Sequence, residues 1–570
     1  MVPVRYILSY QQPSRKYIDF EATFPVSSEV MEFCLPAWRP GRYELGNFAK
    51  NIQKWAAFDT NGNALPFEKT NKDTWKVSDI KTHTVVICYN YYAAELNAGS
   101  TWIDEEQMYV NPVNCFLYLK EQPDLGYEIH LDVPKEYQIA CGLPLKDAHT
   151  IVAKDVQQVM DSPFIASATL WHRTYEYAQV TYHIWIQGRH DLDEKRLLDE
   201  FKAFTISQVS RFGSIPCTDY HFIFQFPDQA ARHGVEHDNS TVIAIGPAER
   251  LQTQAGYEEL LGISCHELYH TWNIKSIRPK EMMPYDFSKE NYSRLGYVAE
   301  GVTTYYGDLY LKRSGVFSTE QYLATLEDQL KRHLHNAGRF NLSVADSSFD
   351  TWLDGYSLGI PHRKVSIYTE GCLCAFLTDV EIMHLTSGRK SLDDAMVLMN
   401  DRFGKKGIGY TEADYRACVA EIAGKDLEWI FEDLIYGTAD YLPHLERALE
   451  LLGFELQFTN AKGFTQQTGA LVLTKGAGFK LHALWPDSPA EMAGLSMGDE
   501  LVAFNGIQAD QFLNTTVDME KGEIMNVTVL RNRNLLEKQV VVSGEAYYLH
   551  PKLVKGNSTN LREIWWKNKR

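Results

Sequence analysis

The hydrophobic periodicity of this chain changes kind along its length, and that limits it to several structural layers of different types. From Arg5 to about Ile165, short apolar or alternating runs such as Val85-Val86-Ile87-Cys88-Tyr89 are broken by turns like Asn61-Gly62-Asn63, the pattern of antiparallel strands. Between about Thr181 and Ile245, the runs Tyr182-His183-Ile184-Trp185-Ile186 and His221-Phe222-Ile223-Phe224-Gln225-Phe226 flank an amphipathic helix near Glu194 to Arg211. From Gly256 to about Leu452 apolar residues recur at three and four positions, as in Tyr322 to His335 and Leu392 to Met399, and the period becomes helical. Strands return after Leu452. At 570 residues the chain exceeds what one core organises. The predicted divisions are an antiparallel β domain over 1–168, a central domain over 169–452 (α/β part 169–252, helical part 253–452), a small strand-rich domain over 453–545, and a tail over 546–570. Trp565 and Trp566 leave that tail either docked on the body or free.

The helical stretch contains His266-Glu267-Leu268-Tyr269-His270, an HExxH sequence. Two histidines four apart lie on one helix face, so both imidazoles can reach a single ion, and zinc accepts such nitrogen ligands. Glu267 stands beside them as general base toward a zinc-activated water. A catalytic zinc needs a third protein ligand and an open fourth position, and the HExxHxxGxxH spacing that would supply a nearby histidine is absent. The segment 296–306 instead offers Glu300 among small and apolar neighbours. An unpaired carboxylate there is costly unless it meets a cation, which makes Glu300 the expected third ligand of one Zn2+ per chain. Asp308 reads as a second partner to the metal site or as a plain surface aspartate.

A formal net charge of −18 disfavours nucleic acid and anionic membranes as partners and mildly favours cationic ones, although acidity also serves solubility alone. No apolar run approaches a membrane span or a signal peptide, and nine cysteines lie scattered without a repeated CxxC pair, which predicts reduced thiols and a cytoplasmic protein. Cys265, Cys372 and Cys374 read as core residues.

Beyond HExxH, the run His270-Thr271-Trp272-Asn273-Ile274-Lys275 with Ile277-Arg278-Pro279, the Glu300 segment through Tyr306-Gly307-Asp308, Trp38-Arg39-Pro40-Gly41-Arg42-Tyr43 and Ser391-Leu392-Asp393-Asp394 together resemble the M61 glycyl aminopeptidase family of gluzincins. That resemblance implies a multidomain α+β fold: an N-terminal β domain, a thermolysin-like (gluzincin) catalytic domain with a helical half, and a C-terminal PDZ domain. It also implies that His233-Gly234-Val235-Glu236-His237 is a substrate-lining strand, in which Glu236 binds the substrate's free α-amine while Gly234, Val235 and His237 line the peptide. His233 stands where the family has glycine. Tyr368 resembles the family's oxyanion-supporting tyrosine, with Glu370 where lysine is usual; without the family, a tyrosine packed at a helix start is the competing view. Ion pairs from Lys275 and Arg278 would steady the loop after the zinc helix.

The C-terminal stretch, with Ser488-Pro489-Ala490, Gly498-Asp499-Glu500 and Asn505-Gly506, looks like a PDZ domain that either binds a peptide ligand or braces the enzyme, with Lys475-Gly476-Ala477-Gly478-Phe479 one candidate for its carboxylate loop. The resulting expectation is a zinc aminopeptidase acting on peptides with a free N-terminus and a small first residue, glycine or alanine. A catalytically idle PDZ scaffold and a zinc endopeptidase without amine selection are the alternatives.

Overall fold

The computed structural model describes residues 2–356, 359–459, 462–475, 478–513 and 518–567. The N-terminal region is built on a seven-stranded sheet whose order is Leu145–Asp147, Thr150–Ala153, Tyr127–Leu131, Val4–Ser9, Tyr17–Pro25, Thr84–Tyr92 and Ile52–Asp59. Strict alternation makes these strands: Val4–Ser9 buries Val4, Tyr6 and Leu8 and exposes the residues between. A three-stranded sheet and a four-stranded sheet complete the layers, and Tyr6, Phe20, Phe24, Phe33, Tyr89 and Phe116 fill the core among them. Against the antiparallel expectation, Val4–Ser9 runs parallel to Tyr127–Leu131. Parallel neighbours need a long connection, and here the intervening hundred or so residues are most of the other strands.

The central region opens with a five-stranded sheet: β1 (Trp171–Tyr177), β2 (Val180–Gln187), β3 (Asp219–Gln225), β4 (Ala231–Glu236) and β5 (Ser240–Gly246), in the order β1-β2-β3-β5-β4. The pairs β2–β3 and β3–β5 are parallel, and β4 forms an antiparallel edge on β5. Helix α1 (Glu194–Phe212), capped by Asp193 and ended by Gly213 at φ 80°, crosses between β2 and β3 and packs Phe201 and Phe204 on Phe222. The helical half follows: α2 (Gln254–Tyr269), a π-helical turn over Tyr297–Val302, α3 (Thr303–Arg313), α4 (Thr319–Leu334), α5 (Thr369–Leu385), α6 (Leu392–Arg402), α7 (Glu412–Ala423) and α8 (Leu442–Leu451). Residues 369–383 of α5 are all buried, so this helix is the axle of the bundle.

The small module after residue 453 has its own core of Phe464, Leu481, Leu501, Phe504, Met525, Val527, Val529 and Val540 on a six-stranded sheet. Its buried Asp499 receives two 2.7 Å hydrogen bonds from the Arg531 guanidinium. Gly476 and Ala477 of the candidate carboxylate loop lie outside the described residues. The strand His550–Lys555 pairs with Phe454–Thr459 and returns the chain to the bundle, where helix α9 (Asn560–Trp565) docks. Trp565 is fully buried; its indole N–H donates to the Tyr305 hydroxyl at 2.8 Å, and Arg313 donates to its carbonyl at 3.0 Å. The tail is therefore part of the body. No described helix is long and apolar enough to cross a membrane.

Candidate metal centre and cleft

Helix α2 is started by Thr253, whose hydroxyl caps the Gly256 N–H, and it ends at the metal motif. Its last turn places His266 Nε2 and His270 Nε2 3.0 Å apart. The π-turn brings Glu300 Oε2 to 3.4 Å from His270 Nε2 and 3.8 Å from His266 Nε2. Donor atoms at zinc's usual 2.0–2.1 Å in a tetrahedron stand roughly 3.3 Å from one another, so this triangle fits a zinc-sized ion.

Asn273 ties the centre together. Its carbonyl lies 2.6 Å from His270 Nδ1, an arrangement that in the neutral ring keeps the proton on Nδ1 and leaves the Nε2 lone pair for a metal. Its side-chain amide donates to the carbonyls of Val298 (2.8 Å) and Ala299 (3.3 Å) inside the π-turn. A π-turn breaks the regular i to i−4 ladder, and this amide takes up carbonyls so released. The turn rests on α5 through glycines: a Cβ on Gly301 would lie 2.3 Å from Gly371 Cα.

Of the other predicted residues, Gly234, Glu236, Glu267 and Tyr368 fall around the same cleft, which encloses about 780 Å³. Strand β4 passes so close to α2 that a Cβ on Gly234 would lie 2.2 Å from Glu267 Oε1; this glycine, and not position 233, carries the close approach. Glu236, at the end of β4, is buried in the cleft wall. Glu236 Oε1 and Glu267 Oε2 are buried without a partner, two carboxylate oxygens awaiting a ligand. Tyr368 and Tyr356 both line the cleft, their hydroxyls 3.4 Å apart. Val235 and His237 do not line it. Val235 packs in a cluster with Trp185, Ile223 and Val242, and His237 Nδ1 lies 3.2 Å from Asp161 Oδ1, because alternation on an edge strand turns successive side chains to different faces. Glu370 also turns away and pairs with buried His333 at 3.1 Å, so the residue that replaces lysine lies off the cleft. Asp308, read as a metal-site partner or a surface aspartate, instead lines the cleft wall beyond His266. Lys275 is buried on Asp161 at 2.8 Å, which ties the loop after α2 to the N-terminal region, and Arg278 lies 3.8 Å from Asp238 in the turn between β4 and β5.

The electrostatics favour a cation at the centre. Burial, with Glu236 and Glu300, lifts the Glu267 carboxyl to about 8, against the pull of His270. Burial works to lower His270, yet Glu300, Glu236 and Glu267 raise it to about 10. Burial holds His266 down at about 4, with its lone pair free. Three carboxylates thus surround the point where the donors converge, and a dication relieves their mutual repulsion.

A histidine pair from one helix and a glutamate from the next, set beside the antiparallel edge of a mixed sheet, form one group that could hold a metal ion. Residues 5–168 match the family model of the peptidase M61 N-terminal domain, and residues 259–374 match that of the M61 glycyl aminopeptidase. Among solved structures, the chain is similar to an aminopeptidase N family protein from Idiomarina loihiensis over 99% of each chain, with TM-score 0.90 and 24% identity. A mutant M1 zinc metallopeptidase from Deinococcus radiodurans bound to a Tyr-Ser-Ala substrate is similar at TM-score 0.47 and 13% identity, over 77% of this chain and 94% of its own. No curated protein matches the chain in sequence.

Sequence reasoning missed Tyr43, Gly41 and Tyr356. The first two stand in the Trp38–Tyr43 motif, more than 190 residues from the strand and helix they touch; Tyr356 carries no motif at all.

Proposed function

We propose that this protein is a zinc aminopeptidase that removes small N-terminal residues from peptides. The observation that carries it is the meeting of His266, His270 and Glu300 with two carboxylates, Glu267 and Glu236, each with one buried oxygen that has no hydrogen-bond partner, in one cleft. His266, His270 and Glu300 would hold one zinc ion per chain. Bound there, zinc would supply Lewis acidity toward a peptide carbonyl and toward water. Glu267, raised in pKa and within reach of the same space, accepts the proton of the attacking water and returns it to the leaving amine. Glu236 binds the substrate's ammonium; a buried carboxylate one residue from the reacting bond selects a chain terminus over a chain interior. Tyr368, with Tyr356 beside it, donates to the oxyanion. The match to the M61 glycyl aminopeptidase model supports glycine as first residue, and alanine is the next smallest side chain. We read residues 453–545 as a PDZ domain, supported by its separate core and short-helix-bearing sheet, and place the enzyme in the cytoplasm.

The test pairs metal analysis with a Glu267→Gln variant. About one zinc per chain in both proteins, with hydrolysis of an alanine-led peptide lowered at least ~10²-fold in the variant, is the expected result. Full activity in the variant refutes the base, and absence of zinc from the wild type refutes the reading altogether. Equal cleavage of the N-acetylated peptide would remove Glu236 from its role and leave an endopeptidase.

A further inference from the structure

Part of the cleft wall comes from the far end of the chain. Turn 38–43 of the N-terminal region is driven against the centre and held there firmly. Trp38 is fully buried, its indole N–H donating to the Asp286 carbonyl at 2.7 Å and its ring edge-on to Trp352 at 4.9 Å. Arg39, also buried, is seated on Gly99, where a Cβ would collide with the guanidinium at 2.0 Å, and its Nη2 lies 3.2 Å from His233 Nε2.

Two contacts follow from that anchorage. Glu300 turns Oε2 to the imidazoles, and its other oxygen, Oε1, accepts from the Tyr43 hydroxyl at 3.0 Å. A carboxylate held at one oxygen keeps the other aimed; released, it is free to rotate about its terminal torsion. Gly41, at φ +78°, lies against the second carboxylate: a Cβ there would stand 2.7 Å from Glu236 Oε2.

We propose that turn 38–43 is a working part of the centre, in which Tyr43 is a positioning residue for Glu300 and Gly41 fixes the place of the Glu236 carboxylate and so the depth of the amine subsite. The inference rests on the aminopeptidase reading and extends it. It makes the N-terminal β layers a contributor to metal affinity and to substrate choice. An alanine at 41 would push the Glu236 carboxylate about 0.7 Å to reach ordinary contact at 3.4 Å. That carboxylate is the far end of a flexible side chain and yields to the new Cβ, while φ +78° strains the turn under any side chain, so the unfolding of the variant is measured beside its kinetics.

The experiment uses the full chain as wild type, Tyr43→Phe, Gly41→Ala, Glu300→Gln and the Tyr43→Phe/Glu300→Gln double variant. Zinc dissociation constants come from chelator competition, and kcat and KM from an alanine-led peptide at saturating zinc. Tyr43→Phe should weaken zinc binding about 10- to 100-fold, the usual effect of losing an outer partner of a ligand. In the Glu300→Gln background the same change should add less than twofold, because its route runs through Glu300. Gly41→Ala should leave zinc affinity within twofold and raise KM at least tenfold, since misplacement by 1 Å can cost ~10²-fold. Unchanged zinc affinity in Tyr43→Phe, an equal loss in both backgrounds, or an unchanged KM in Gly41→Ala overturns the proposal while leaving the aminopeptidase reading intact. A wild-type chain that binds no zinc overturns both.

Discussion

Replacing Gly301 by alanine should force apart the two elements that carry Glu300 and Tyr368. The new Cβ would lie 2.3 Å from both Gly371 Cα and the Gly371 carbonyl carbon, and a Cβ on Gly371 would in turn lie 2.7 Å from Gly301 Cα and from the Tyr297 carbonyl oxygen. Non-bonded carbons rest at about 3.5–4.0 Å, so the π-turn and α5 must separate by at least ~1.2 Å, and neither side has a side chain that can swing aside. Overpacking of this kind costs about 1–3 kcal/mol. The metal is more sensitive still, because ligand distances tolerate only ~0.2 Å; a fifth of the separation transmitted to Glu300 already exceeds that. Zinc affinity should fall at least ~10-fold, measured by chelator competition beside calorimetric unfolding of the zinc-free chain. Gly262 is the control, since it faces open space on α2, where alanine should be neutral or stabilising by up to about 1 kcal/mol. A Gly301→Ala protein with unaltered unfolding and zinc affinity within twofold of wild type would refute the argument that glycine contact sets the ligand's position.

Two further outcomes follow from buried charge. Lys275→Met strands the buried Asp161 carboxylate and should cost about 3–5 kcal/mol in urea unfolding at pH 7; a loss below ~1 kcal/mol would sink this reading. Although burial works to raise it, Lys275 and His237 hold Asp161 well below the usual carboxylate range. Its contribution is therefore complete above ~pH 4 and lost as pH falls, so the variant should also show a shallower acid limb. Asp308 behaves oppositely: burial pushes its carboxyl up to about 7, so folding takes up a proton there and stability declines as pH rises from ~4 through 7. Asp308→Asn should match wild type near pH 4 and exceed it by about 1–2 kcal/mol at pH 8 in thermal unfolding; an equal difference at both pH values would count against it.

Much of the fold was legible because period reports burial: alternation along Tyr17–Pro25 and helical spacing along Thr319–Leu334 are each consequences of one buried face. The histidine pair was legible for the same reason, as i, i+4 spacing is local. Glu300 could be found because a lone carboxylate in an apolar run demands a partner, but the π-turn that aims it could not, since it depends on Asn273 and on the Gly301–Gly371 contact. The parallel pairing of Val4–Ser9 with Tyr127–Leu131 has no local signature. Nor does the orientation of Val235 and His237, which is decided by the layer behind β4: Asp161, buried beneath that strand, draws His237 and Lys275 to itself. Glu370 read as an electrostatic oddity until His333, thirty-seven residues earlier, supplied its partner.

The docking of Trp565 also sets an order of assembly during translation. Its indole caps Tyr305, which in turn donates to Asp379 at 2.6 Å, while its ring packs against Phe376 and Tyr322. The first two of these partners are 260 residues apart in sequence. At about 5–20 residues per second a ribosome needs roughly 13–50 s to make that interval. For that time the helix following Glu300 lacks this neighbour, and it reaches the packing described here only once α9 has emerged.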